Sequence, residues 1–416
     1  MPEPHRPAAA PGVGLRSLPR NVWAATITSF LTDISSEMIF NLLPLFLANV
    51  LGVRTGLIGL IEGLAETTAS LLKAASGWLS DRLGSRKWPA VAGYALSTVV
   101  KPFLYIAATW WGVLAVRFGD RVGKGIRTAP RDALLADSSD ADHRGLAFGL
   151  HRAGDTAGAL VGLLIALGVV WLAQGGGLTL QRATFRRLVL ISIVPAALAV
   201  LVLAVGARET GAGTGTRPPG LSFRGLAAPF RRFVWVVVLF TLGNSADAFL
   251  VLRAQERGLS VVGVLGMLAT FNLIYALVSG PAGALSDRVG RRRLMVGGWL
   301  LYGLLYLGFA LVQAAWQMWA LYALYGVYYG AVEGTARAYV ADLVQPDRRG
   351  TAYGVFNAAV GVAAFPASLI AGVLWQGVGS WAGFGPAAPF LFGAALAFAA
   401  TALLVGWVPD PARSVR

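Results

Sequence analysis

Apolar residues run through this chain in blocks of around 20, separated by short polar turns. Each block is long enough for a helix to cross about 30 Å of hydrocarbon. The pattern predicts an all-α membrane protein with twelve spans, at 21–48, 55–80, 89–108, 110–136, 146–172, 187–206, 233–253, 261–286, 294–312, 316–341, 351–375 and 387–408. Only one polar stretch between spans is long, from Gly206 to Arg232 after span six, and it carries Pro218-Pro219 and several glycines. It reads as a linker. The expected organisation is a tail over 1–20, a six-helix bundle over 21–206, a linker over 207–232, a second bundle over 233–408 and a tail over 409–416.

Composition agrees with the spans. Of 416 residues, 56% are hydrophobic and 13% charged, against about a quarter charged in soluble domains. A net charge of +15 raises the question of nucleic acid. The basic residues are spread over short loops rather than gathered on one soluble face, which excludes that partner. They follow the positive-inside rule: Arg82, Arg86, Lys87, Arg288, Arg291, Arg292, Arg293 and the arginines from Arg208 to Arg232 fall on one side. That bias places both termini in the cytoplasm and predicts a multi-pass protein of a bacterial inner membrane. The chain has no cysteine, so disulfides and thiolate metal sites are excluded. Three histidines and five methionines do not suit a soft-metal carrier. The first 20 residues lack a signal-peptide core.

The two bundles are related in sequence. Gly77-Trp-Leu-Ser-Asp81-Arg82-Leu-Gly84-Ser-Arg86-Lys87 recurs as Gly283-Ala-Leu-Ser-Asp287-Arg288-Val-Gly290-Arg-Arg-Arg293. Ala136-Asp137 with Arg144-Gly145 recurs as Ala341-Asp342 with Arg349-Gly350. A parallel repeat of six spans puts a substrate site between the halves near the membrane midplane. These motifs resemble the major facilitator superfamily over all twelve spans, and the resemblance implies a secondary transporter, not an enzyme. Arg117-Phe-Gly-Asp-Arg-Val-Gly-Lys-Gly125 looks like the family's fourth-span pattern, with Arg121 replacing its first glycine. Gly145, Gly154, Gly158 and Gly162 hold the spacing of its fifth-span antiporter motif, with Ala159 where proline is expected.

The repeated loop predicts a gate. Gly84 and Gly290 can take positive φ in a tight turn without strain. Asp81 and Asp287 can accept from backbone N–H groups at a helix N-terminus, which the resemblance assigns to span eleven for Asp81 and span five for Asp287. Arg82 or Arg86 can reach Asp137, and Arg288 or Arg291 can reach Asp342. Gly77 and Gly283 complete the motif. Ser85 stands where the family has a base, which predicts a looser first-half network. Arg127 and Asp132 are further expected gate partners.

Charges inside spans are costly and must face a cavity or a partner. Glu62, Glu66 and Lys73 lie within about 40° on span two. Span four carries Arg117, Asp120, Arg121, Lys124, Arg127, Arg131 and Asp132 on an arc of about 140°. Span three adds Lys101; span five adds Arg152 and Asp155, which could satisfy each other, and His151, read as a satisfied helical histidine. Bases outnumber acids on span four, which predicts positive charge available to an anion. The second half offers Asn244, Asp247, Asn272, Tyr275, Tyr322, Tyr325, Tyr329 and Glu333, a wall of aromatic and polar groups. Asp33 and Glu37, four apart on span one beside Ser29, Ser36 and Asn41, are the expected proton carriers; Glu62, Glu66 and Asp155 compete for that role. Alternatively Asp33 and Glu37 are fixed counter-ions for Lys73 or Lys101.

The reading is proton-coupled efflux of a small organic solute, anionic or amphipathic, by a monomer that needs no cofactor. No Gly-x-x-x-x-Gly-Lys-Ser/Thr loop is present to bind a nucleotide. Uptake of an organic anion by proton symport stands as an alternative, and a non-transporting receptor or scaffold as one of another class.

Overall fold

The computed structural model describes residues 18–140, 143–210, 225–345 and 348–409. Most of both expected tails, and 211–224 of the expected linker, lie outside these residues. The described chain is helical and crosses twelve times. The spans are one (Arg20–Val50), two (Thr55–Leu83), three (Lys87–Val100, then a 3-10 turn Lys101–Tyr105), four (Trp110–Asp137), five (Arg144–Gln174) and six (Arg182–Gly206). The second set is seven (Ala228–Glu256), eight (Val261–Val289), nine (Arg291–Leu311), ten (Ala315–Asp342), eleven (Arg349–Gln376) and twelve (Ala388–Gly406). Eight are apolar enough to span a membrane on composition alone. Spans two, three, four and ten are the others. Two, four and ten line the interior, where lipid imposes no apolar requirement.

Local chemistry sets the helix ends. Thr109 starts span four by accepting from the Gly112 N–H, and Ser260 starts span eight by accepting from Gly263. Gly84 ends span two at φ 62°, a left-handed turn that a side chain would strain, and Gly290 follows span eight at φ 98°. The positive-φ expectation holds at both.

The packing repeats itself. Span one lies against five and six, as seven lies against eleven and twelve. Two meets four as eight meets ten, and three meets four and six as nine meets ten and twelve. Between halves, two packs on eleven and eight on five, each the image of the other. One hydrogen bond marks the pseudo-twofold axis: Asn49 Nδ2 donates to Gln255 Oε1 at 3.1 Å, and these residues are 206 apart. Equivalent residues can touch only on the axis that relates them.

Span five owes its close seat on span one to its glycines. A Cβ at Gly158 would lie 2.4 Å from the Phe30 carbonyl oxygen, and one at Gly162 would lie 2.6 Å from that of Ile34. Neither contact is tolerable.

Two spans depart from the continuous helices that the hydrophobic pattern predicts. Span one turns at Asn41, where Pro44 removes a donor and its ring disfavours a straight helix, and resumes with a π-turn over Phe46–Val50. Span seven stops at Gly243 and restarts at Ala248, leaving Asn244 to Asp247 outside any helix. Gly243, Asn244, Ser245 and Asp247 are weak helix formers, and the interior lets them satisfy themselves elsewhere.

Candidate functional site

A cavity of about 530 Å³ lies between the halves. Spans one, two and four supply one wall; seven, eight, ten and eleven supply the other. It is sealed at the end away from Gly84 and Gly290. There Asn49 bonds Gln255, Arg54 Nη2 donates to the Gln376 carbonyl at 2.9 Å, and the Thr55 N–H donates to Gln376 Oε1 at 2.8 Å. Val261 N–H also reaches the Gly177 carbonyl at 3.2 Å. At the motif end no described hydrogen bond joins the Gly84 loop to the second half or the Gly290 loop to the first. The cavity opens toward that end.

The charged wall is built from ion pairs. Arg117 Nη2 lies 2.7 Å from Glu62 Oε2, both nearly excluded from water. One turn on, Arg121 Nη2 lies 2.8 Å from Glu66 Oε1. Helical spacing makes this ladder, since 117 to 121 and 62 to 66 each advance one turn. Arg127 donates to Ser97 Oγ at 2.7 Å and sits over the Tyr94 ring. Lys101 is buried behind span one, donating to Ser35 and Ser36 hydroxyls at 2.8 and 3.0 Å. What remains open to the cavity is mainly acidic. Asp33 and Glu37 have no ion-pair partner among the described residues, although Asn41 Nδ2 donates to Glu37 Oε2 at 2.6 Å. Lys124 is the exposed base without one.

The expectation of spare positive charge on span four therefore narrows to Lys124. Arg117 and Arg121 line the cavity, but glutamates of span two hold them. Six acids and four bases line the space: Asp33, Glu37, Glu62, Glu66, Asp120 and Asp247 against Arg117, Arg121, Lys124 and Arg127. A count along one helix misses acids that neighbouring helices bring.

The opposite wall is aromatic. Phe271 stands 5.2 Å from Tyr322 and 5.6 Å from Tyr329, ring centre to ring centre. Tyr325 is fully buried behind them and donates to Asp247 Oδ1 at 3.4 Å. Asn244 Oδ1 accepts from the Tyr302 and Tyr306 hydroxyls at 3.2 and 3.4 Å.

Several expected residues lie elsewhere. Arg152 does not pair with Asp155. It reaches across to the second half, bonding the Tyr275 hydroxyl and lying 3.4 Å from Glu333 Oε2, while Arg337 holds the other Glu333 oxygen at 3.2 Å. Asp155 instead faces His151 at 3.7 Å, and neither ring nitrogen of that buried histidine has a hydrogen bond. His151 is thus not the satisfied histidine expected. Lys73 lies off the cavity, near Asp132. Asp132 is bonded by its neighbour Arg131 at 2.8 Å, so Arg127 and Asp132 do not act as a pair.

The repeated loops form equivalent knots. Arg86 bonds Asp81 and lies 3.2 Å from Asp137; Arg291 lies 3.3 Å from Asp287 and 2.5 Å from Asp342. Of the two candidates in each half, Arg86 and Arg291 make the contacts. Arg82 lies over the Trp78 ring, and Arg288 is exposed. Neither aspartate reaches the helix N-terminus of the other half, because this end is open. Nor is the first network loose. Ser85 donates to Glu209 Oε2 at 2.7 Å, and Glu209 Oε1 accepts from the N–H groups of Arg86 and Lys87 at 2.6 and 3.1 Å. A linker carboxylate thus occupies the place left by the missing base.

The sequence matches the family model described as Major Facilitator Superfamily over residues 25–270 and 238–416. The chain belongs to the Major Facilitator Superfamily. Its members are secondary transporters rather than enzymes, so the chain is a multi-pass membrane protein with a small-molecule substrate. An uncharacterized MFS-type transporter of Methanocaldococcus jannaschii is 35% identical over 396 residues, 94% of this chain and 95% of the relative. The multidrug resistance protein MdtG of Serratia proteamaculans is 27% identical over 343 residues, 78% of this chain and 79% of that protein. Among solved structures, a POT family transporter in complex with 5-aminolevulinic acid superposes with a TM-score of 0.78 at 13% identity, covering 96% of this chain and 98% of that one. That likeness speaks to the twelve-helix fold alone.

Proposed function

We propose that this transporter exports a small organic solute from the cytoplasm in exchange for protons, by alternating access around the central cavity. The observation that carries the reading is the pair Asp33 and Glu37, which line the cavity and make no direct ion pair among the described residues. Acids with fixed counter-ions hold their charge; acids facing a water-filled space between two gates can load and release a proton as access alternates. The alternative role as counter-ions fits Lys73 poorly, since Lys73 lies off the cavity, while Lys101 donates to the Ser35 and Ser36 hydroxyls and makes no direct ion pair with either acid. The basic loops at the open end support a cytoplasmic opening of an inner-membrane protein. Anion uptake is disfavoured because Glu62 and Glu66 neutralise the arginines it would need. The glycine seat of span five on span one agrees with the antiporter spacing. In this reading the Arg86 and Arg291 knots close the cytoplasmic mouth when the halves rock together.

The test begins with a thermal-shift screen of metabolites and drugs, because a ligand of the folded state raises Tm. In proteoliposomes loaded with a pH dye, a gradient of that ligand is expected to move protons. Asp33→Asn or Glu37→Gln is expected to abolish the movement while ligand binding survives. Ligand flux without any proton movement in the parent protein would refute the coupling.

A further inference from the structure

The break in span seven gives the cavity a polarity that none of the charges on span four would suggest. We infer that Asn244 to Asp247, with the aromatic wall beside them, form a subsite for the positively charged nitrogen of an aromatic or bulky ammonium ion. The inference rests on the transport reading above and adds the sign and shape of the cargo.

Thr241, Asn244, Ser245, Ala246, Asp247 and Ala248 all face the cavity. Among the described residues, no backbone hydrogen bond returns from 245–247 to the first half-helix, so the Leu242 carbonyl has no backbone donor. The Ser245 hydroxyl is buried near the Tyr306 hydroxyl, and its residue lines the space.

The signs can be summed. The first half-helix presents its C-terminal end to the break, worth roughly −0.5 charge, and the second presents its N-terminal end, roughly +0.5. These cancel, and the Asp247 carboxylate decides the balance. It does not cap the helix it precedes. Its partner is the neutral Tyr325 hydroxyl, and it makes no ion pair among the described residues. Lys124, the exposed base, lies on the other wall, on span four beside Arg121. A cation at the break meets the Asp247 carboxylate with no base paired to it, while across the cavity the Glu62 and Glu66 charges are offset by Arg117 and Arg121.

The rings supply shape. Tyr322, Tyr329 and Phe271 line the same end of the cavity, with Tyr329 edge-on to Phe271. An onium group over such faces gains cation–π attraction in a space it largely dehydrates. An anion would meet the same rings and carboxylate and be repelled. The Ser245 hydroxyl adds an acceptor for an N–H where the nitrogen carries one.

The experiment uses the purified full-length protein and a matched pair of probes, benzyltriethylammonium and benzenesulfonate, read by intrinsic tryptophan fluorescence and by Tm. The ammonium ion is expected to bind at least tenfold more tightly than the sulfonate. Asp247→Asn is expected to weaken the ammonium at least tenfold and the sulfonate not at all; Tyr329→Leu weakens the ammonium about threefold by removing a ring face. Should Asp247→Asn fail to fold, Asp247→Glu and Ser245→Ala replace it, with binding kept in the first and reduced in the second. Equal binding of both probes, binding of neither up to millimolar concentration, or no response to these variants overturns the inference. The two readings fail separately. Ammonium binding without proton movement refutes the coupling and leaves the subsite; proton movement driven by sulfonates alone does the reverse.

Discussion

The two halves share a fold and divide the chemistry. In the first half, the cavity wall is an ordered ladder of charge, Glu62 to Arg117 and Glu66 to Arg121. In the second, span seven offers Asp247 and Asn244 to tyrosines of spans nine and ten. The repeat fixes where side chains point, not what they are. A buried ion pair is held by strong, directional forces and fails badly when halved. A tyrosine cluster is held by many weak contacts and yields gradually. The first wall suits a device that must keep its geometry while a proton comes and goes, and the second suits a surface that adapts to the outline of a ligand.

The largest effect should come from breaking the ladder. Arg117→Ala leaves Glu62 charged and unpaired in a site almost closed to water, at a cost of about 3–5 kcal/mol. Arg117→Met with Glu62→Met should recover most of that, since no charge is stranded. The counterpart in the second half is Tyr325→Phe, which removes one long hydrogen bond and no ring, at about 1 kcal/mol. Melting curves of the purified variants check the ordering. A Tyr325→Phe loss as large as that of Arg117→Ala would erase the contrast between the walls.

The next comparison sets the two loop knots against each other in function. Asp81→Asn and Asp287→Asn each weaken a carboxylate bound to the arginine of its loop. Under the proposed alternating access each carboxylate would meet the opposite half in the alternate state, so either change should slow transport several-fold while leaving ligand affinity within a few-fold. The effect should be greater for Asp81, whose arginine is the more sheltered. Unchanged rates in liposomes would reduce both loops to topology signals.

Much of this was readable from sequence because it depends on spacing. The duplicated Gly-x-Leu-Ser-Asp-Arg loop specified the repeat, and the repeat specified which loops share an end. Glycine at 84 and 290 signalled the turns, since few other residues accept that φ. Acids at 33 and 37 had to face the interior, and they do. What spacing along one helix could not say was which helix supplies the partner. Spacing alone sets Arg152 beside Asp155, three residues away, but Arg152 reaches Tyr275 and Glu333 on the other half. The surplus of bases on span four shrinks to Lys124 once span two lies against it. The break in span seven was hidden because Val236 to Thr241 and Phe249 to Leu252 read as one apolar run. The only local signal was the cluster Gly243-Asn244-Ser245 ahead of Asp247, which favours a helix end.

The smallest effect distinguishes the loops by pH. In the first half Glu209 accepts from the Ser85 hydroxyl and from the N–H groups of Arg86 and Lys87, capping span three. Burial opposes its charge, but those hydrogen bonds win and hold its carboxyl below the usual glutamate range. Because the folded value is depressed, the cap is fully present above the unfolded glutamate value near 4.3 and is lost as pH falls through the lower, folded one. Span nine, the equivalent of span three, follows Gly290 directly and has no acidic side chain at its start among the described residues. Acidification should therefore loosen the Ser85 loop and spare the loop at Gly290. The group is exposed, so screening keeps the contribution near 0.5 kcal/mol. Glu209→Gln at neutral pH should mimic part of the acid effect, because an amide accepts these bonds less strongly than a carboxylate does. Hydrogen exchange at the Arg86 and Lys87 amides, against those of Arg292 and Arg293, is the measurement. Faster exchange in both loops on acidification would mean that a general loosening, and not this one carboxylate, sets the difference.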